Sequence, residues 1–157
     1  MNKEIVFCNL AEKPQYVPKI AMWYYREWCE QSGRYSLQEV TDKLESALKK
    51  GTLPINVIAL QGGELLGTAE LKLHEMEEYL QFEHWIGGVY VASKARGKSL
   101  AHRLVQFLIE HAKDKGIETL YLQTEDLTGG LYRKLGFEPM FEADSKGYRV
   151  LLMNVRL

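Results

Sequence analysis

The segment Arg96-Gly97-Lys98-Ser99 runs straight into a stretch of helical periodicity with no proline, aspartate or asparagine to open it. Cations are misplaced there, because the helix dipole favours negative charge at its N-terminus. An anion supplied from outside the chain resolves the conflict. The first four amides of a helix lack intrahelical acceptors, and a neighbouring glycine lets a ligand approach the backbone. Such a turn can bind a phosphate or pyrophosphate through main-chain N–H groups, with Arg96 and Lys98 adding charge at the entrance. Neither GxxxxGK[ST] nor GxGxxG occurs, so this is not a P-loop or a dinucleotide fingerprint. Read without context, it is equally a solvated turn with two surface cations.

A second chemical feature is acidic. Glu75, Glu77, Glu78 and Glu83 crowd the segment 74–83, where their potential can draw in a cationic amine or simply keep a loop in water. The two cysteines, Cys8 and Cys29, have no metal-ligand spacing and form no disulfide framework. Both lie in apolar segments, which suits packing in a reducing compartment.

These groups need elements to carry them. EIVFCNL reads as a strand, and VPKIAMWYYREWCEQSG as a helix with Pro18 in its first turn and Gly33 near its end. Ser36 and Glu39 form a capping-box pair, followed by a stripe of Val40, Leu44, Ala47 and Leu48 that should stop at Gly51. PINVIAL and LLGTAELKL are strands joined by a QGGE hairpin turn. HEMEEYLQFE reads as an irregular loop and WIGGVYV as a strand. Residues 98–114 form the clearest helix, with Leu100, Ala101, Leu104, Val105, Leu108, Ile109 and Ala112 on one broad face. IETLYLQT is a buried strand and LTGGLYRKL a short helix ended by Gly136. FEPMFEA and GYRVLLMNVRL are two strands around a DSKG turn.

The expected order is β-α-α-β-β-β-α-β-α-β-β, an α/β (α+β) arrangement of a mostly antiparallel sheet of about seven strands with helices on both faces. The length of 157 residues suits one domain. Lys and Arg total 20 against 21 Asp and Glu, a net charge of −1. That balance argues against nucleic-acid binding. No apolar run of membrane-spanning length exists and the first residues lack a continuous hydrophobic core, so a cytoplasmic protein without a membrane partner is expected.

The run Arg96-Gly97-Lys98-Ser99-Leu100-Ala101, the preceding GVYV and the later LYRKLGF together resemble the GNAT superfamily of acyl-CoA-dependent N-acetyltransferases. The family motif is Gln/Arg-x-x-Gly-x-Gly/Ala; Arg96 and Ala101 match it, whereas Ser99 stands where glycine is usual. The resemblance implies that acetyl-CoA lies along Val89, Tyr90 and Val91. Its pyrophosphate would meet the turn through Arg96, Gly97, Lys98, Ser99, Leu100, Ala101 and His102. A helical Ser99 would keep its Cβ clear of the turn and its amide available.

Acetyl transfer to an amine needs a neutral nucleophile, a polarised thioester carbonyl and a proton for the departing thiolate. By the resemblance, Tyr132 in LYRKLGF donates that proton; its ring also suits packing over the cofactor. Many relatives carry a glutamate at the position that falls on Gly87, and glycine takes no proton. Glu83, four residues earlier, is the candidate base if the strand end curls inward. His84, a residue type that can take up a proton, has the other strand parity. An amine deprotonated in bulk water is the alternative. Trp23, Tyr24, Tyr25 and Trp28 line the first helix, as core, dimer contact or substrate wall, and a monomer and a homodimer both stay open. The resulting expectation is transfer from acetyl-CoA to a small cationic amine. A protein N-terminus or lysine as acceptor, or a non-catalytic acyl-CoA sensor, are the other readings. No metal is called for.

Overall fold

The structure, a computed structural model, describes residues 4–48 and 52–157. Gly51, the expected stop of the second helix, lies outside the described residues. The strands are β1 (Ile5–Asn9), β2 (Ile55–Gln61), β3 (Glu64–Leu73), β4 (His84–Val91), β5 (Thr119–Thr124), β6 (Glu138–Ser145) and β7 (Tyr148–Arg156). They form one seven-stranded sheet in the order β1-β2-β3-β4-β5-β7-β6. Every neighbouring pair is antiparallel except β4 and β5, which run parallel. The helices are α1 (Val17–Tyr24), α2 (Leu37–Ser46), α3 (Leu100–Asp114) and α4 (Gly130–Lys134). The expected element order and fold class are therefore met.

Strand β2 explains the layering. It is almost wholly apolar because both of its faces are covered. Ile55, Val57 and Ala59 pack with α3 on one face, while Ile58 and Leu60 pack with α1 and α2 on the other. The hairpin to β3 turns through Gly62 and Gly63, with φ of 60° and 81°, the left-handed pair that a two-residue turn demands. Helix α3 buries Leu100, Leu104, Val105, Leu108, Ile109 and Ala112; Ala101 sits at the half-buried margin of that face.

Two boundaries moved for local reasons. The helix expected over 98–114 begins at Leu100, because Gly97 and Ser99 take left-handed backbone angles of 79° and 58°. The first helix changes after Tyr24 into a π turn over Tyr25–Cys29, closed by Glu30 N–H to the Tyr25 carbonyl at 2.7 Å. π turns inside helices often mark functional sites. At the start of α2 the Ser36–Glu39 capping box is present in both directions.

The acidic segment 74–83 is less irregular than its composition suggests. The His74 N–H donates to the Glu83 carbonyl at 2.8 Å, which closes the segment at its base. Met76, 3% exposed, joins Trp85, Val150 and Leu152 in a third apolar cluster, with Tyr79 and Phe82 packed against it. No described helix is long and apolar enough to cross a membrane.

Candidate active site

Strands β4 and β5 share a single registered pair, Trp85↔Tyr121. Beyond it β4 stays with β3 and β5 stays with β7, so the parallel strands part and leave a cleft in the sheet. At the vertex Phe82 stacks on Tyr121 with ring centroids 4.4 Å apart and lies 6.4 Å from Trp85. The β4 wall is bent by a bulge: its register on β3 shifts between Thr68 and Glu70, and Gly88 has φ 55°. A Cβ at Gly88 would sit 2.6 Å from the Tyr24 hydroxyl and 2.9 Å from the Glu70 carboxylate. Glycine is required there on both counts.

Tyr24 holds the bulge. Its hydroxyl donates to the Gly88 carbonyl at 2.7 Å and accepts from Asn56 Nδ2 at 3.2 Å. Burial, followed by the Glu70 charge, pushes its pKa well above the usual phenol value, so it remains a donor. The aromatic run on the first helix therefore divides. Tyr24 is buried, Trp23 stacks on Tyr90 at 4.9 Å, and Trp28 stays 47% exposed beside both Tyr24 and Tyr90.

Beneath the bulge lies a charged cluster. Lys72 Nζ is 2.6 Å from Glu75 Oε1 and 3.9 Å from Glu70 Oε2, and all three side chains are less than a quarter exposed. Burial alone would lower the Lys72 pKa, but Glu70 and Glu75 outweigh it and hold the ammonium above its ordinary value. A Cβ built on Gly87 would meet Lys72 Cε at 2.7 Å and Glu75 Oε1 at 3.2 Å. The space that a side chain at 87 would take is filled by the Lys72–Glu75 pair.

The four loop glutamates are thus not equivalent. Glu75 turns inward, fixed between Lys72 and the buried Met76. Glu77 and Glu78 face solvent. Glu83, the candidate base, is 61% exposed, and its carboxylate lies 3.6 Å from His84 Nε2. The strand end does not curl to bury it.

The turn before α3, which follows directly from β4, presents the expected groups with one difference. Ser99 is left-handed, not helical, and makes no side-chain cap. Its Cβ is tolerated only at the strain of that conformation, which explains why glycine is the usual residue. A depression beside the turn is lined by Arg96, Ser99, Ala101, His102, Leu131 and Lys134, and also by Val91, Gly97 and Leu100. The α3 amides without a side-chain cap, the open face of Gly97 and the flanking cations fit a pyrophosphate. Arg96 is itself positioned: Nε donates to the Val91 carbonyl at 3.0 Å, and the guanidinium lies 5.5 Å from the Tyr90 ring centre. Lys98 instead faces a different depression with Lys94 and Glu64. Val89 packs against the α3 core.

Tyr132 stands on α4, which Gly129 opens with φ 87° and Gly136 ends with φ 94°. Its backbone carbonyl accepts from Phe137 N–H at 3.0 Å, and the two rings meet edge-on at 6.1 Å. Burial first and the Glu75 charge second push its hydroxyl up to about 12. The Cys8 and Cys29 thiols are both pushed up by burial, which suits packing residues rather than nucleophiles. Sequence reasoning missed Asn56, Glu70 and Lys72 altogether. The double glycine 87–88 within a strand was the one signal that something large occupied the space beside it.

The Acetyltransferase (GNAT) family model matches residues 17–137. L-methionine sulfoximine/L-methionine sulfone acetyltransferases of Pseudomonas paraeruginosa and Pseudomonas aeruginosa are 36% identical over 92 residues, 54% of this chain and 51% of theirs. The chain therefore spans about half the length of these curated relatives. An N-acetyltransferase from Staphylococcus aureus Mu50 superposes with a TM-score of 0.75 at 18% identity, over 98% of both chains. An aminoglycoside 6'-N-acetyltransferase complexed with coenzyme A gives 0.72 at 16% identity, over 96% of both. These two speak for the fold; the family match spans most of the chain and takes in the cleft, the α3 turn and Tyr132. The chain belongs to the GNAT family of acetyltransferases.

Proposed function

We propose that this chain transfers the acetyl group of acetyl-CoA to the primary amine of a small cationic molecule. The observation that carries the reading is the cleft between β4 and β5, with uncapped α3 amides on the helix that follows β4 and Tyr132 on the helix that follows β5. Acetyl-CoA supplies an acyl group already activated as a thioester, so positioning and modest proton transfer are sufficient catalysis. The turn from Arg96 to His102 holds the pyrophosphate and orients the donor. Tyr24 and Glu70 keep the β4 bulge rigid, so the main chain at Gly88 is fixed where the acyl group must lie. Tyr132, protonated throughout the neutral range, gives a proton to the leaving sulfur.

The acceptor side supports a cation. Glu70 and Glu75 outnumber Lys72, leaving the cluster at the bulge with one net negative charge, and small alkylammonium groups are favoured there. The curated relatives act on a small amino-acid derivative by name, which agrees with a small acceptor over a protein one. The test is incubation with acetyl-CoA and a panel of amines, including L-methionine sulfone, spermidine and N-terminal peptides, reading thiol release. Calorimetry with coenzyme A against dephosphorylated pantetheine completes it. Thiol release with small amines, and tighter binding of coenzyme A, are the expected results. No release with any amine would leave a binding module.

A further inference from the structure

Gly87 removes a carboxylate from the place where many family members carry one, yet that place holds an oxygen. A Cβ at 87 would lie 3.2 Å from Glu75 Oε1, a carboxylate that comes from the segment between β3 and β4 rather than from β4. We propose that Glu75, held by Lys72, is the proton acceptor for the incoming amine. The inference rests on the acetyl-transfer reading above.

Three features of position support Glu75 over its neighbours. It is fixed: the His74 to Glu83 bond closes its segment and Met76 anchors it from below. It is sheltered, 18% exposed against 61% for Glu83. It is also paired. Lys72 faces it from β3 at 2.6 Å, and Glu70 lies beyond Lys72 on the same strand. Lys72 has two carboxylate partners, so protonation of Glu75 leaves the ammonium still paired with Glu70.

The protons balance as follows. The acceptor enters as an ammonium and gives one proton to Glu75, which later releases it to solvent. The freed nitrogen lone pair forms the new C–N bond to the acetyl carbon. The C–S bond breaks with its electron pair going to sulfur, and the sulfur takes the Tyr132 proton. The Tyr132 oxygen then recovers a proton from the nitrogen, leaving a neutral amide and a neutral thiol.

The test compares wild type with Glu75→Gln, Glu75→Asp and the surface control Glu110→Gln on α3, using acetyl-CoA and whichever amine of the panel above turns over. Glu75→Gln should lower kcat by about 10² to 10⁴-fold. Its kcat should also rise roughly tenfold per pH unit across neutrality, since only amine already deprotonated reacts. Wild-type kcat should be flat there, Glu75→Asp should recover part of the rate, and Glu110→Gln should match wild type. Coenzyme A affinity should be unchanged in all. A Glu75→Gln enzyme with kcat and pH profile like wild type, or with coenzyme A affinity reduced as far as kcat, overturns the assignment. Absence of thiol release from wild type would instead overturn the acetyl-transfer reading, and the base with it.

Discussion

The turn before α3 offers main-chain amides and a few side chains drawn from one short run, Arg96 to His102. The β4 bulge instead gathers groups from five separate parts of the chain: Tyr24, Asn56, Glu70 with Lys72, Glu75, and Gly87–Gly88 itself. The first half depends on local backbone geometry and tolerates side-chain substitution wherever the amides survive. The second depends on packing, since Tyr24, Asn56 and Glu70 meet only because α1, β2 and β3 are stacked in this order. Donor recognition and acceptor chemistry should therefore respond to mutation independently, with Tyr132 as the group that belongs to both.

The largest expected effect is at that junction. Tyr132→Phe keeps the ring against Phe137 and removes the proton, so kcat should fall by about 10² to 10⁴-fold. Coenzyme A affinity by calorimetry should hold. A parallel loss of affinity would mean that Tyr132 serves mainly to seat the donor. Next is Tyr24→Phe, which strips a buried partner from the Gly88 carbonyl and the Asn56 amide. A loss of about 1–3 kcal/mol in urea unfolding is expected, with a raised amine KM and little change at the α3 turn. Equal damage to both halves would break the division. The smallest effect is at Ser99. A non-glycine residue in the left-handed region is strained by roughly 1–2 kcal/mol, partly offset by the greater chain entropy that glycine loses on folding. Ser99→Gly should gain about 1 kcal/mol in urea unfolding and leave amine KM alone.

The same division explains what the sequence disclosed. Element order, the capping box at Ser36, the QGGE turn and the α3 face are all local patterns, and the structure repeats them with shifts of a residue or two. The α3 turn was equally readable as a turn into a helix, apart from the conformation of Ser99, because its form follows from short-range backbone geometry. The β4 side was not. Four glutamates in one segment look alike in a sequence, and only the closure at His74 and the burial of Met76 turn Glu75 inward while leaving Glu77, Glu78 and Glu83 in water. Glu70 and Lys72 lie on a strand with ordinary alternation, so nothing local marked them. Their role depends on the bulge at Gly88, which brings consecutive positions of β4 against the same cluster.

The vertex of the cleft has a mechanical consequence. Phe82 packs on Tyr121 and Trp85, the two residues where β4 and β5 last touch, and Phe82 also belongs to the segment that carries Glu75. The hinge of the opening and the arm that holds the carboxylate are thus one solid piece. A molecule that wedges the strands wider cannot do so without moving that arm, so the angle of the opening and the reach of Glu75 vary together. Acceptors of different girth would meet the same carboxylate at different heights, and discrimination by size would then arise from leverage rather than from a wall.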